Sequence, residues 1–284
     1  MKVVVTGASG YIGRHVLSYL SSRSEIDVLG IISPWSKVPP ELEKYTLLKL
    51  DLENIVATGN VHKYISSADC LIHLAYRNGF NHYHESHFKD LSWHYSLIEQ
   101  CVASGCNNIN VMGTVHEVGY WEGMVDSDTP CNPITPYGIA KNALRQALFA
   151  LRGKNLFSLK WLRGYYVYGN DENSSSIFGK ILSLSRTQDA SIDLTDGVNQ
   201  FDFTYVEDLA RMIAVASTQV EVDGIVNVCS GVPIPLKKAI VDYVSKNHLE
   251  IQLNFGKYPQ RVGESHCVYG DNTLITQILN KNRV

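Results

Sequence analysis

The sequence KVVVTGASGYIG, at residues 2–13, joins a short β-branched run to three glycines spaced three residues apart. Apolar residues then recur at helical spacing over residues 12–20, so the glycines stand between a predicted buried strand and a predicted amphipathic helix. The first glycine permits a tight turn, the second lets backbone amides approach a diphosphate, and the third lets the helix pack closely on the strand. The diphosphate would rest on the helix N-terminus, where free amides and the helix dipole favour an anion. We therefore predict a dinucleotide site formed by Gly7, Ser9, Gly10, Tyr11, Ile12 and Gly13.

The alternation of strands and helices continues beyond this motif and defines the fold class. Further strands are predicted at 27–32, 45–50, 68–75, 108–112 and 156–162, and helices at 61–66, 85–104 and from Pro136 onward. This alternation is typical of right-handed crossovers and a parallel sheet. We predict an α/β protein with a Rossmann-type doubly wound parallel sheet over residues 1–165. A smaller substrate-binding lobe is predicted over 166–284, with elements near 200–230 returning to the first domain.

Composition excludes several classes of protein. The 284 residues are 45% hydrophobic and 19% charged, with a formal net charge of −3, which disfavours nucleic acid and acidic membranes as partners. Six scattered cysteines without a Cys-x-x-Cys pair indicate reduced thiols. No apolar run approaches the ~20 residues needed to span a bilayer, and no signal peptide is expected before the first strand. The chain is therefore predicted to be cytoplasmic.

The end of the second predicted strand bears on the choice of cofactor. An NAD enzyme usually carries a carboxylate there for the adenosine ribose, but this chain has SPWSK at residues 33–37. A 2′-phosphate could be bound by Ser33, Ser36, Lys37 and Arg14, so we favour NADP(H) over NAD(H). The alternative, that Lys37 is only a solvated loop charge, is equally compatible with the sequence and leaves NAD(H) open. The next two strands end at Asp51-Leu52 and Leu74-Ala75, which are predicted to border the adenine and the rest of the cofactor.

A catalytic pair is predicted at the start of the helix that follows Thr135. Tyr137 and Lys141 are four residues apart, so they project from the same face of that helix. An ammonium group beside a phenol favours the phenolate and should lower the pKa of the tyrosine. A tyrosine tuned in this way can exchange a proton with a carbinol or carbonyl oxygen. The spacing alone is common, and the glycine motif upstream is what favours a functional reading.

Together, TGASGYIG at 6–13 and the downstream Tyr137-x-x-x-Lys141 resemble the extended short-chain dehydrogenase/reductase family of nucleotide-sugar epimerases, dehydratases and reductases. NVMGTVHEVG at 110–119 is similar to the family's strand and loop with the catalytic hydroxyl, and LRGYYVYG at 162–169 and RVGE at 261–264 are similar to later segments. The resemblance covers nearly the whole chain.

The resemblance implies a specific catalytic role for each of three residues. Tyr137 would be the acid or base, Lys141 would lower its pKa and hold the nicotinamide ribose, and Thr114 would hydrogen-bond the reacting oxygen. A nucleotide sugar would be the substrate, and relatives imply a homodimer formed by the 85–104 helix and the Tyr137 helix. The residues implied to contact the substrate are Tyr76, His82, Thr114, His116, Arg163, Leu194 and Arg261.

Differences from the family pattern narrow the reaction. Sugar 4,6-dehydratases carry Thr-Asp-Glu at the catalytic loop, whereas Val115 and His116 follow Thr114 here, so dehydration is disfavoured. The loop is most similar to reductases of dTDP- or CDP-linked 4-keto-6-deoxyhexoses, which implies a role in deoxysugar biosynthesis for cell-surface polysaccharides. A 4-epimerase with bound NAD is the alternative. A non-catalytic NADP(H) sensor is a third hypothesis, which the retained Thr114, Tyr137 and Lys141 disfavour.

Several histidines near residue 84 raise the question of a metal site. His82, His84 and His87 with Glu85 are suitable ligand types, but their spacing matches no known zinc motif. A solvated or substrate-facing loop is the favoured interpretation, and we predict no metal.

Overall fold

The computed structural model describes residues 1–171, 174–260 and 263–282. Its strands are β1 (Lys2–Thr6), β2 (Asp27–Ile32), β3 (Leu47–Lys49), β4 (Cys70–His73), β5 (Asn108–Thr114), β6 (Gly123–Val125), β7 (Ser158–Gly164), β8 (Tyr166–Tyr168), β9 (Ser191–Asp193), β10 (Gln200–Tyr205), β11 (Gly224–Val228), β12 (Pro233–Pro235), β13 (Gln252–Asn254) and β14 (Cys267–Gly270). The α-helices are α1 (Gly13–Ser21), α2 (Leu52–Ala57), α3 (His62–Ile65), α4 (Ser86–Lys89), α5 (Leu91–Ala103), α6 (Pro136–Arg152), α7 (Ile177–Leu184), α8 (Val206–Thr218), α9 (Leu236–Lys246) and α10 (Thr273–Lys281).

Seven strands form one parallel sheet in the order β11-β7-β5-β4-β1-β2-β3. The chain starts in the middle, moves to one edge through β2 and β3, and then crosses back to β4 and the opposite edge. Ligands bind beyond the carboxyl ends of the strands at such a reversal, which here falls between β1 and β4. The predicted Rossmann-type fold class is confirmed.

The valines of β1 show why this sheet is covered on both faces. Side chains alternate across a strand, and Val3 and Val5 pack into one core while Val4 packs into the other. The first core contains apolar residues of α1, α8 and α10, and the second contains those of α2, α3, α5 and α6. A strand buried on both faces needs a continuous apolar run rather than alternation, which is what KVVVT provides.

A second lobe has its own sheet and core. Its larger sheet has the order β12-β10-β14-β6, with β8 also paired to β10, while β13 pairs with β9. Asp202 on β10 is fully buried and ties these elements together, because its carboxylate accepts hydrogen bonds from the backbone amides of Ser230, Gly231 and Gly270 and from the Ser230 hydroxyl. The core of this lobe is rich in aromatic side chains, including Phe178 and Phe203.

Most predicted elements are present, with shifted ends. The single helix expected over 85–104 is instead two helices that meet at Asp90, whose buried carboxylate receives the Arg77 guanidinium. Helix α2 and the short strands β6, β12 and β14 were not predicted from the sequence, because elements of three to six residues carry little periodicity.

Helix α10 packs on the first core although it lies at the far end of the chain. None of the helices in the described ranges is long and apolar enough to cross a membrane.

Candidate active site

The glycine turn after β1 has the geometry that a dinucleotide requires. Gly7 has a φ of +70°, and the Gly10 amide donates to the Gly7 carbonyl at 2.9 Å. A Cβ atom at Gly13 would lie 2.1 Å from that same carbonyl oxygen, so only glycine lets α1 approach the turn this closely. Gly10 is exposed, and no side chain caps the N-terminus of α1, which leaves this helix end suited to an anion. These features fit a cofactor diphosphate.

The end of β4 lies beside this turn. A Cβ atom at Gly7 would meet the Ala75 Cα at 2.7 Å, and the Ala75 amide donates to the Thr6 hydroxyl at 3.3 Å. Leu74 and Ala75 are half-buried at this edge of the sheet. Ser9, Tyr11 and Ile12 are also only partly buried in the turn itself. The predicted cofactor residues of β1 and β4 therefore converge at the reversal in strand order.

The residues predicted to bind the adenosine end of the cofactor lie in the loop after β2 and at the end of β3, and only some of them are available to a ligand. Ser33 and Lys37 are exposed, but Arg14 forms an ion pair with Asp171 at 3.0 Å and is thus already engaged. Asp51 caps α2, since its carboxylate accepts from the Asn54 amide at 3.1 Å. The preference for NADP(H) and the adenine contacts of Asp51 and Leu52 stay predictions.

Helix α6 and strand β5 bring the three predicted catalytic groups together. Thr135 caps α6 by accepting from the Gly138 amide, and Pro136 occupies its first turn, so Tyr137 and Lys141 project from a firmly started helix. The hydroxyl of Thr114, at the end of β5, is close enough to the Tyr137 phenol to lower its pKa. Lys141 lies one turn further along, and its Nζ donates to the Met112 carbonyl at 2.8 Å. A hydroxyl donor and a phenol thus stand side by side at the carboxyl edge of the sheet.

The expected lowering of the tyrosine pKa is wrong for this structure. Burial raises the pKa of Tyr137 to about 12, and the nearby Thr114 hydroxyl opposes that rise only in part. Burial also lowers the pKa of Lys141 to about 7, with the charge of Glu117 acting in the opposite direction. Desolvation penalises both charged forms at once, so the phenol is protonated and the lysine is near its midpoint at neutral pH. A protonated tyrosine is the form that can donate to a carbonyl oxygen.

Aromatic and imidazole rings surround this pair. The Tyr76 ring stacks with the His94 ring, with 5.0 Å between their centroids, and contacts the Tyr137 ring edge-on at 5.6 Å. The Lys141 Nζ lies 3.8 Å from the centroid of the Tyr76 ring. His82 stacks on Tyr137 at 5.0 Å, and its carbonyl accepts from the Tyr137 amide. The ring centroids of His116 and His82 are 4.4 Å apart. Tyr76, His82 and His116 therefore border the catalytic groups, and their contact with substrate stays a prediction.

The other histidines of the 82–87 segment hold the segment in shape. His84 Nδ1 and the Ser86 hydroxyl are 3.0 Å apart, and His87 Nε2 lies 2.8 Å from the Asn81 carbonyl oxygen. Across the residues that the structure describes, no group of three or more His, Cys, Asp or Glu side chains could hold a metal ion.

Two predicted substrate residues have different surroundings from those expected. Arg163 was predicted to contact the substrate, but it is completely buried and has no surface for a ligand to touch. Its Nε instead donates to the Glu117 carboxylate at 2.6 Å. A guanidinium in an apolar strand needs a buried anion, and Glu117 provides it. Leu194 is 5% exposed and packs into the core of the second lobe, so its contact with a base is untested. Arg261 lies outside the described residues.

Glu117 and Trp161 were missed at the sequence level. The Trp161 indole donates to the Glu117 carboxylate at 2.7 Å, and both side chains are fully buried. The sequence did indicate a buried acidic partner, because SLKWLRG at β7 places two cations in a strand that is otherwise mostly apolar. Such cations call for buried partners, but the sequence does not say where along the chain they lie.

Fold and site together are those expected of a Rossmann-type enzyme that uses a nicotinamide cofactor, which would supply the hydride chemistry when bound. Comparison with known proteins agrees. Residues 3–229 match the model of the NAD dependent epimerase/dehydratase family. The chain belongs to this family, and it is an enzyme of the extended short-chain dehydrogenase/reductase type.

Individual relatives are similar over almost the entire chain. The dTDP-6-deoxy-L-talose 4-dehydrogenase (NAD(+)) of Aggregatibacter actinomycetemcomitans is 36% identical over 271 residues, covering 95% of this chain and 99% of the relative. The fold is similar to that of the UDP-N-acetylglucosamine 4-epimerase of Methanobrevibacter ruminantium M1, with a TM-score of 0.83 and 21% identity over 98% of this chain and 91% of the other. UDP-glucose 4-epimerase of Thermotoga maritima gives 0.80 and 20% identity, over 98% and 92%.

Proposed function

We propose that this protein is a nicotinamide-dependent reductase of the 4-keto group of a dTDP-linked 4-keto-6-deoxyhexose, working in reverse as a dehydrogenase of the 6-deoxysugar. The observation that carries the proposal is the grouping of Tyr137 and Thr114, with Lys141 one helical turn further along α6, at the edge where a cofactor would lie. The similarity to a dTDP-6-deoxy-L-talose 4-dehydrogenase supports the substrate class.

The roles of the side chains follow from their protonation states. Tyr137 donates its proton to the substrate oxygen, because burial keeps the phenol neutral and leaves it a donor. Thr114 hydrogen-bonds the same oxygen and orients it. Lys141, when protonated, stabilises the phenolate that forms, since opposite charges attract strongly in a site with little water. The second lobe, with its aromatic core, binds the nucleotide sugar.

The decisive experiment adds a set of dTDP-4-keto-6-deoxyhexoses, which includes the ketone formed when carbon 4 of dTDP-6-deoxy-L-talose is oxidised, to the purified protein with NADPH or NADH and follows cofactor oxidation at the nicotinamide absorbance. Stoichiometric oxidation with formation of one 6-deoxyhexose, identified at carbon 4 by NMR, supports the reductase. Conversion of a nucleotide sugar into its 4-epimer without net cofactor oxidation would support the epimerase instead. No turnover across a panel of nucleotide ketosugars, with cofactor still bound, would favour the sensor.

The cofactor preference needs its own measurement. The absence of a carboxylate in the SPWSK segment supports NADP(H), whereas the similar talose dehydrogenase is named for NAD(+). We keep NADP(H) as the prediction, with Lys37 as the cation that binds the 2′-phosphate. Replacing Lys37 by Ala should then weaken NADPH at least about tenfold while leaving NADH unchanged. Equal effects on both cofactors, or tighter NADH binding by the wild type, would refute it.

We further propose a homodimer in which α5 and α6 of each copy meet. Sedimentation equilibrium at assay concentration should give twice the chain mass of 31.7 kDa. A single species at the monomer mass would contradict this assembly.

A further inference from the structure

A buried charged cluster lies beneath the loop that carries Thr114. The Glu117 carboxylate accepts from the Arg163 Nε at 2.6 Å and from the Trp161 indole at 2.7 Å, and all three side chains are completely buried. A second guanidinium nitrogen of Arg163 donates to the Asp126 carbonyl at 2.8 Å. Moving Glu117 away would leave the Arg163 cation buried and unpaired, which is costly, so this cluster holds the loop in one arrangement.

Two glycines show how tightly this arrangement is built into the catalytic elements. A Cβ atom at Gly113 would lie 2.1 Å from the Trp161 indole nitrogen, so the glycine before Thr114 is what lets the indole reach Glu117. A Cβ atom at Gly138 would lie 2.3 Å from the His116 carbonyl oxygen. The turn from Val115 to Glu117 is therefore in direct contact with α6, immediately after Tyr137. Any movement of Glu117 would shift the Thr114 hydroxyl relative to the phenol.

The charge of Glu117 also reaches the catalytic pair. It raises the pKa of both Lys141 and Tyr137. Among the residues that the structure describes, the other groups shown next to Lys141 carry no negative charge: they are the Tyr76 phenol ring, the buried imidazoles of His73 and His94, and the Met112 carbonyl. Burial lowers the pKa of both imidazoles, so they stay neutral at pH 7.

We propose that Glu117 is a positioning residue of this active site: held by Trp161 and Arg163, its carboxylate fixes the Thr114 loop against α6 and places a buried negative charge close to the catalytic pair. The activity readouts rest on the proposed reductase function, but the structural claim does not. Glu117 does not touch the substrate, and acts only through Thr114 and Lys141.

Three variants separate the two parts of this role. Trp161→Phe removes one hydrogen bond and keeps the charge. Glu117→Gln removes the charge but leaves the Arg163 cation unpaired, which can prevent folding. The double variant Glu117→Gln with Arg163→Met removes both charges and preserves much of the volume, so it is the variant that keeps the test decisive.

In the double variant, kcat should fall about tenfold or more with little change in KM, because misplacement of a catalytic hydroxyl affects turnover strongly. The basic limb of the kcat profile should move to lower pH, since Glu117 raises the pKa of whichever of Lys141 and Tyr137 that limb reports. Trp161→Phe should lower kcat and leave the limb at the wild-type pH. A double variant with wild-type kcat, or with a reduced kcat and an unmoved limb, would overturn the proposal.

A measurement without substrate keeps this inference distinct from the proposed function. NMR of protein labelled with ¹³C-lysine follows the titration of Lys141, assigned by its loss in Lys141→Met. The Lys141 resonance should titrate at lower pH in the double variant than in the wild type, whatever the enzyme reduces. Identical titrations would refute the inference even if the reductase were active, and an inactive wild type would refute only the reductase.

Discussion

Replacement of Lys141 by Met should make the apoprotein more stable at low pH while abolishing turnover. Lys141 is only 4% exposed, and burial lowers the pKa of its ammonium from 10.5 to about 7. One pKa unit corresponds to about 1.4 kcal/mol, so holding this lysine protonated in the fold costs roughly 5 kcal/mol. Methionine has a similar length and carries no charge to desolvate.

The pH dependence has a definite sign. Between about pH 7 and 10.5 the unfolded state binds the proton that the folded state has lost, so this group makes stability rise with pH in that window. The cost is complete below pH 7 and absent above pH 10.5. Methionine also forfeits the hydrogen bond to the Met112 carbonyl, which subtracts about 1–3 kcal/mol from its advantage. Lys141→Met should thus be about 2–4 kcal/mol more stable at pH 6 and no more stable at pH 10.5.

Urea unfolding of both apoproteins at pH 6, 8 and 10 measures this difference directly, because groups common to both proteins cancel. Lys238 is 63% exposed and pairs with Asp242 on the surface, so Lys238→Met serves as the control and should show a small effect at every pH. A Lys141→Met advantage that does not shrink as the pH rises would refute the desolvation argument. So would a variant less stable than the wild type at pH 6.

Further predictions concern the proton donor, the cofactor turn and the second lobe. Tyr137→Phe should lower kcat by about 10²-fold or more, since it removes the proposed proton donor, and steady-state kinetics with the ketosugar measures it. Gly13→Ala should weaken NADPH binding at least about tenfold in a fluorescence titration, because its methyl would lie 2.1 Å from the Gly7 carbonyl oxygen and push α1 away. Asp202→Asn should cost about 2–4 kcal/mol of unfolding free energy in urea, because a fully buried carboxylate with four donors loses its charge.

The glycine variant has a matched control, and each of the other two variants has an outcome that would contradict its prediction. Gly153→Ala places its methyl at an ordinary 3.4 Å from a carbonyl, so it should leave cofactor affinity unchanged. Near-wild-type turnover of Tyr137→Phe would remove that residue from the mechanism. An Asp202→Asn protein as stable as the wild type would mean that the buried carboxylate is not what joins the strands of the second lobe.

Much of the site could be predicted from sequence because it depends on local rules. The strand, glycine turn and helix of residues 2–20 were placed correctly, since a β-branched run, three glycines and a helical period each specify backbone conformation within a few residues. The spacing of Tyr137 and Lys141 likewise fixed their shared face on α6. The hydroxyl of Thr114 was assigned by resemblance, and the structure brings it to Tyr137.

What the tertiary structure decided is the environment of those groups. Sequence spacing predicted that Lys141 would lower the pKa of Tyr137. The fold instead removes Lys141 and most of Tyr137 from water, and this desolvation raises the pKa of the phenol and lowers the pKa of the ammonium. Arg163 was taken for a substrate contact, and the fold instead pairs it with Glu117, 46 residues earlier in the chain. Local pattern determines which residues share a strand or a helix face. Burial and charge pairing depend on contacts between distant segments, and only the folded chain specifies them.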